Sequence, residues 1–195
     1  MSDTSRWTEY YRKTEGRPPR PTLLFALDRF AAPGFAVDLG CGEGRDTIEL
    51  LRRGWRVLGI DSEPGAIARL TARPDLPPGY RLETQVAQFE DAAWPAADLA
   101  NASFSLFFCA PGAFAPLWRK LVASLKPGGR FAGHLLGERD SWAARPRVVV
   151  HVDAAIASLL TGFDVEMHDV EETDGVTPRG EAKHWHIHHL VLRHP

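Results

Sequence analysis

Apolar positions along this chain follow two alternating periods. Leu23, Leu24, Leu27 and Phe30 recur at helical spacing and predict a helix over 21–31, closed by Pro33-Gly34. A short buried strand is expected at 35–39, then a helix over 47–53 with Ile48, Leu50 and Leu51 apolar and Gly54 past its end. A strand over 55–60 runs into Asp61, and a helix over 64–72 carries proline in its first turn. Further strands are expected at 80–87, 99–105 and 130–136, the last two separated by a strong helix over 114–125 and the stop Lys126-Pro-Gly-Gly129. Asp153 caps a helix reaching Leu160. Two late strands, 163–171 and 184–192, flank a loop over 173–182. Alternation of strand and helix implies right-handed crossovers and a parallel sheet. Two strands in succession imply an antiparallel hairpin. The expected class is therefore α/β: a seven-stranded, mostly parallel sheet with an antiparallel terminal strand and helices on both faces.

Composition narrows the setting. The chain has 195 residues, 44% hydrophobic and 25% charged, with a net charge of -2. We expect one domain, 1–195, with residues 1–20 as an arm or lid set off by Arg17-Pro-Pro-Arg-Pro21 and 21–195 as the core. Without a basic patch, no nucleic-acid partner is expected. No apolar run approaches the ~18 residues of a membrane helix, so no membrane partner is expected either. The N-terminus lacks a signal-peptide core, and Cys41 and Cys109 make no disulfide framework. A cytoplasmic protein is the expectation.

The chemistry concentrates in Val37-Asp-Leu-Gly-Cys-Gly-Glu-Gly-Arg-Asp46. A triphosphate loop needs Gly-x-x-x-x-Gly-Lys-Ser/Thr, and no lysine is present. A dinucleotide loop needs Gly-x-Gly-x-x-Gly, which wants glycine where this chain has Arg45. The glycines are instead Gly40, Gly42 and Gly44, and Asp38 precedes them where a pyrophosphate would be unwelcome. An acid with glycines suits a ligand with an amine and a ribose but no phosphate, such as S-adenosyl-L-methionine. Asp61, with Ser62 beside it, ends the second strand and can accept hydrogen bonds from both ribose hydroxyls, as acids do in dinucleotide sites too.

These residues resemble motif I of the class I S-adenosylmethionine-dependent methyltransferases. Val57-Leu-Gly-Ile-Asp61 looks like the family's ribose motif, and Leu125-Lys-Pro-Gly-Gly-Arg-Phe131 like the turn before its fifth strand. The resemblance runs from about Phe35 to the C-terminus and implies a Rossmann-like sheet, with S-adenosyl-L-homocysteine as product. It places Asp38, Gly40, Gly42, Gly44, Asp61 and Ser62 at the cofactor, with Ser105 after the fourth strand. The family commonly sets an acid after the third strand to hold adenine. Here the stretch is Gln88-Phe89-Glu90-Asp91: Glu90 or Asp91 could replace that acid, and Gln88 with Phe89 is favoured for the adenine pocket. The Asn-Pro-Pro-Tyr motif of base and glutamine methylases is absent, and Cys109 reads as a core cysteine. Gly180-Glu-Ala-Lys-His-Trp-His186 looks like the end of the small tellurite-resistance-type methyltransferases.

An acceptor is expected under the arm and the late loops. Trp7, Tyr10, Tyr11, Arg12 and Arg17 suit a lid, and Tyr11, Arg17, Arg139, Trp142 and Trp185 are the residues expected against the acceptor. The compact chain favours a small molecule. In-line transfer needs a base only if the acceptor arrives protonated; His134 or His184 is the candidate. His184, His186 and His188 share a strand face and could chelate a metal, but no carboxylate or cysteine stands close by in sequence, so no metal ligand is assigned. The rival readings are an NAD-dependent oxidoreductase, disfavoured by Arg45, and a non-catalytic S-adenosylmethionine- or metal-binding protein.

Overall fold

The structure, a computed structural model, describes residues 16–195. Its helices are α1 (Pro21–Leu27), α2 (Arg45–Arg52), α3 (Pro64–Thr71), α4 (Phe114–Ser124) and α5 (Asp153–Leu160). Its strands are β1 (Phe35–Leu39), β2 (Arg56–Asp61), β3 (Arg81–Val86), β4 (Ala97–Ala102), β5 (Leu125–Gly137), β6 (Val150–His151), β7 (Asp164–Val176) and β8 (Ala182–Arg193). The sheet runs β3-β2-β1-β4-β5-β8-β7, with β6 paired to β5 off this path. β8 is antiparallel to both β5 and β7, and the other pairs are parallel. The seven strands of the path are those the pattern predicts. The reversed strand, last in the chain, lies inside the sheet, between β5 and β7. β6, two residues long, leaves no period to read.

Strand pleating sorts the core into two layers. Phe35, Val37 and Leu39 of β1 pack with Leu117, Trp118 and Leu121 of α4 and Ile156 of α5. Ala36, between them, packs on the other face with Leu23 and Leu27 of α1 and Leu50 and Leu51 of α2. Asp38 shares the parity of Ala36 and so lies on the α1/α2 face. The order turns at β1, whose neighbours are β2 on one side and β4 on the other. Such a switch point leaves a crevice beyond the carboxyl ends of the strands.

Several boundaries differ from the predicted ones for physical reasons. α1 stops at Leu27, because the Arg29 and Phe30 N–H groups bond three residues back, to Ala26 and Leu27. β4 ends at Ala102, just before Phe104, which has a left-handed φ of 55°. β5 starts directly after α4, so the Lys-Pro-Gly-Gly turn lies within its first residues. β7 and β8 shrink the expected loop to 177–181. Exposed polar residues dominate β7, so its register comes from β8, not from an apolar face.

Candidate functional site

A cleft of about 1000 Å³ opens where β1, β2 and β4 end. Its floor is the glycine loop. Gly40, Gly42 and Gly44 have φ of 74°, 55° and 86°, conformations that favour glycine. The N–H groups of Gly40 and Cys41 donate to Ile60 O (2.8 and 3.1 Å), and Gly42 N–H donates to Asp61 Oδ2 (2.9 Å). The loop is thereby stitched to the end of β2. A Cβ on Gly40 would overlap the Ser105 side chain, whose hydroxyl donates to Leu39 O at 2.6 Å. Gly40 and Gly42 line the cleft. Gly44 does not: a Cβ there would overlap Leu70, so this glycine lets α2 start close against α3.

Two buried carboxylates face the cleft. Asp61 is 8% exposed, and its second oxygen, Oδ1, accepts Glu63 N–H at 2.9 Å. Burial lifts its carboxyl above the usual range, against the pull of the Glu63 and Gly42 N–H groups. Each oxygen keeps a lone pair beyond these bonds. Asp38 is 2% exposed and accepts from Thr47 Oγ1 (2.6 Å) and Asn101 Nδ2 (2.8 Å). Burial, with Asp46 adding repulsion, pushes its pKa up to about 7. The same Asn101 amide donates to Asp46 Oδ2 at 3.2 Å, and Asp46 Oδ1 accepts Arg20 N–H at 2.9 Å. Asn101 and Asp46 escaped the sequence reading, because nothing local couples positions 38, 46 and 101.

Ser62, Gln88, Phe89 and Ser105 also line the cleft, as do Arg17, Trp142 and Trp185. Residues 16–20, the 177–181 turn, Phe104, Phe107, Phe108 and Arg145 line the same cleft. Buried Lys183 fixes the tryptophans. It pairs with Asp140, and its Nζ lies 4.1 Å from the Trp142 ring centroid and 4.2 Å from that of Trp185. Burial lowers the Lys183 pKa, while Asp140 opposes the drop.

Three expected residues besides Gly44 lie elsewhere. His134 is 1% exposed beneath the Phe104 ring (centroids 4.1 Å apart), and Arg20 stacks on that ring at 4.1 Å. Burial drives its pKa well below the ordinary value, and it does not line the cleft. His184 sits outside the cleft against Asp174 (2.7 Å), which raises its pKa. Arg139 is likewise outside, held by both Glu172 oxygens at 2.7 and 3.0 Å. Strand parity and the length of the β7–β8 hairpin decide all three placements, and neither is visible locally. Tyr11, with Trp7, Tyr10 and Arg12, lies outside the described residues. Phe104, which the sequence reading missed, gives no local sign of its left-handed backbone.

Residues 36–129 match the methyltransferase domain family. The chain is 34% identical over 125 residues to a trans-aconitate 2-methyltransferase of Acidovorax sp. (strain JS42), covering 63% of this chain and 46% of that protein. It thus spans about half the length of the curated relatives it matches. TehB from Haemophilus influenzae superposes with a TM-score of 0.79 at 14% identity, covering 97% of this chain and 67% of that one. The N-methyltransferase NodS from Bradyrhizobium japonicum WM9, in complex with S-adenosylhomocysteine, superposes with a TM-score of 0.72 at 17% identity over the whole of both chains. The matched segment carries the glycine loop and Asp61, and together with the curated relatives and the superposed folds it supports a class I S-adenosylmethionine-dependent methyltransferase.

Proposed function

We propose that this protein transfers a methyl group from S-adenosylmethionine to a small carboxylate in the cytoplasm. The observation that carries the reading is the pair of buried carboxylates, Asp38 and Asp61, flanking an open-backbone glycine loop in one large cleft. Buried carboxylates are costly unless a cation or donor meets them. A ligand with an ammonium, a sulfonium and a ribose diol supplies both. Asp61 would take the two ribose hydroxyls on its remaining lone pairs, and Asp38 would face the amino group. Gln88 and Phe89 would flank the adenine, with Ser62 and Ser105 at the rim.

The acceptor reading rests on the other half of the cleft. Trp142, Trp185 and Phe108 offer flat apolar walls, and Arg17, Arg20, Arg145 and Arg179 stand around them. Glu181 pairs with Arg145 (3.2 Å) and Arg179 (3.8 Å), so an incoming carboxylate would compete with it for charge-assisted bonds. The curated relatives are named for methylating trans-aconitate, a carboxylate. Bound S-adenosylmethionine supplies a methyl on a sulfonium; an acceptor oxygen gains the C–O bond, and the C–S electron pair stays on sulfur. A carboxylate carries no proton to remove, so His134 and His184 need not reach it. The chain's work is to orient the acceptor, hold it in line and exclude water with the aromatic walls.

Asp61→Ala is the test of the cofactor half. S-adenosylmethionine affinity should fall at least tenfold, about 1.4 kcal/mol, with far-UV circular dichroism unchanged. Incubation with a panel of small carboxylic acids should yield a methyl ester by mass spectrometry. NAD binding as tight as that of S-adenosylmethionine would sink the reading.

A further inference from the structure

The face of β8 turned from the cleft carries a second cluster. Trp185 and Ile187 line the cleft, and His186 and His188 alternate with them, so both imidazoles point to the α5 side. They are 0% and 2% exposed, with ring centroids 5.0 Å apart. The fold brings them the carboxylate that their sequence neighbourhood lacks: Asp153, in the first turn of α5. One donor atom each from Asp153, His186 and His188 lies within 4.8 Å of the other two.

His188 points to a ligand independently. Its buried Nε2 has no hydrogen-bond partner among the described residues, and Asp153 Oδ1 stands 3.9 Å away. Its Nδ1 meets His168 Nε2 at 3.0 Å. When Nδ1–H donates to His168, Nε2 carries the lone pair, the tautomer a metal needs, held as outer groups hold metal-binding histidines. We propose that Asp153, His186 and His188 form a binding site for a divalent transition-metal ion, with zinc the best match to two imidazoles and a carboxylate. Zinc bonds of about 2.0–2.2 Å at tetrahedral angles place two ligand atoms ~3.4 Å apart. The 3.9 Å pair stands about half an ångström wider than that, and a separation at the 4.8 Å limit closes by about 1.4 Å as the exposed Asp153 swings in and the rings turn.

Arg139 now supplies the positive charge here. Its Nη2 lies 2.9 Å from His186 Nε2, its backbone N–H donates to His186 Nδ1 at 3.2 Å, and its Nη1 is 3.7 Å from Asp153 Oδ2. A neutral imidazole has one acceptor nitrogen, so His186 cannot accept from both Arg139 donors at once. A metal on Nε2 displaces the guanidinium, which is half-exposed and stays with Glu172, and leaves Nδ1 protonated, so the Arg139 backbone N–H must turn away from it. The loaded site would pin α5 to the β7–β8 hairpin.

The test titrates the untagged, chelator-treated full chain with Zn²⁺ by calorimetry, and with Co²⁺ by visible absorption. One equivalent should bind, with a cobalt ligand-field band. His188→Gln and Asp153→Asn should each weaken Zn²⁺ at least tenfold, and Arg139→Gln should tighten it. His184→Gln, which alters a histidine outside the cluster, should change nothing. Should His188→Gln fail to fold, the exposed Asp153→Asn decides alone. No saturable one-to-one binding, or equal affinity in Asp153→Asn, overturns the site. Metal binding is read without acceptor or cofactor, so its failure leaves the methyl-transfer reading untouched.

Discussion

Asp38 has its charge suppressed while no cation faces it. Its folded pKa of about 7 lies above the ~3.9 of an unfolded aspartate. The sign follows by linkage. Its contribution to stability is complete below about pH 3.9 and is lost as pH rises through about 7, since the folded state then holds an ionised, buried carboxylate. A ligand ammonium beside Asp38 restores what ionisation removes. The rise in Tm on adding S-adenosylmethionine should therefore be larger at pH 8 than at pH 5.5, and Asp38→Asn should flatten that difference. Equal pH dependence in both proteins would remove Asp38 from the cofactor. Asp38 and Asp61 were legible because their spacing from the glycines is local. Asn101 was not: it is 63 residues from Asp38, and only the parallel β1–β4 register brings its amide between two acids. His134 misled for the reverse reason. Its strand was placed correctly, but the pleat sends its ring under Phe104 instead of into the cleft.

Elements carry two further expectations. Gly42 is left-handed at φ 55°, and its N–H is spent on Asp61. A β-branched residue resists that backbone. Gly42→Val should abolish S-adenosylmethionine binding measured by calorimetry while the sheet stays folded; unchanged affinity would mean that the loop does not touch the cofactor. Gly137 closes β5 with no room for a Cβ, which would overlap the His186 ring. Gly137→Ala should cost about 1–3 kcal/mol in urea unfolding, the range of overpacked cores, and more than Gly112→Ala, where nothing lies within 4 Å. The sequence located β1, β2, β4 and β5 because each buries apolar residues between helices, and β3, which buries none, only through its loose alternation. It cut β7 short at 171, where the real strand continues to Val176. Charges on both faces leave β7 no period of 2, and only pairing along β8 holds it extended.

At the scale of the whole molecule, the cleft joins two chemistries along one sheet edge. The ends of β1 and β2 present carboxylates; the loops after β4 and β5, with the 177–181 turn, present aromatics and arginines. A net charge of -2 gives the chain no general pull on anions, so an anionic acceptor must be drawn by this local cluster. Arg145 is its best handle: its guanidinium lies 4.6 Å from the Trp142 ring centroid and pairs with Glu181 at 3.2 Å. Arg145→Gln should raise KM for the carboxylate acceptor about tenfold, the ~1.4 kcal/mol of one charge-assisted bond, and leave the Kd for S-adenosylmethionine unchanged. Glu181→Gln should act oppositely, because the acceptor no longer competes with a resident carboxylate for Arg145 and Arg179. Raising the salt from 0.05 to about 0.3 M should lift KM more in the wild type than in Arg145→Gln, since screening weakens an attraction the variant has already lost. Steady-state kinetics with an identified acceptor measures all three. A shift of S-adenosylmethionine affinity in place of acceptor KM would move Arg145 to the cofactor half, and an Arg145→Gln enzyme with unchanged KM would show that the acceptor is not read through its charge.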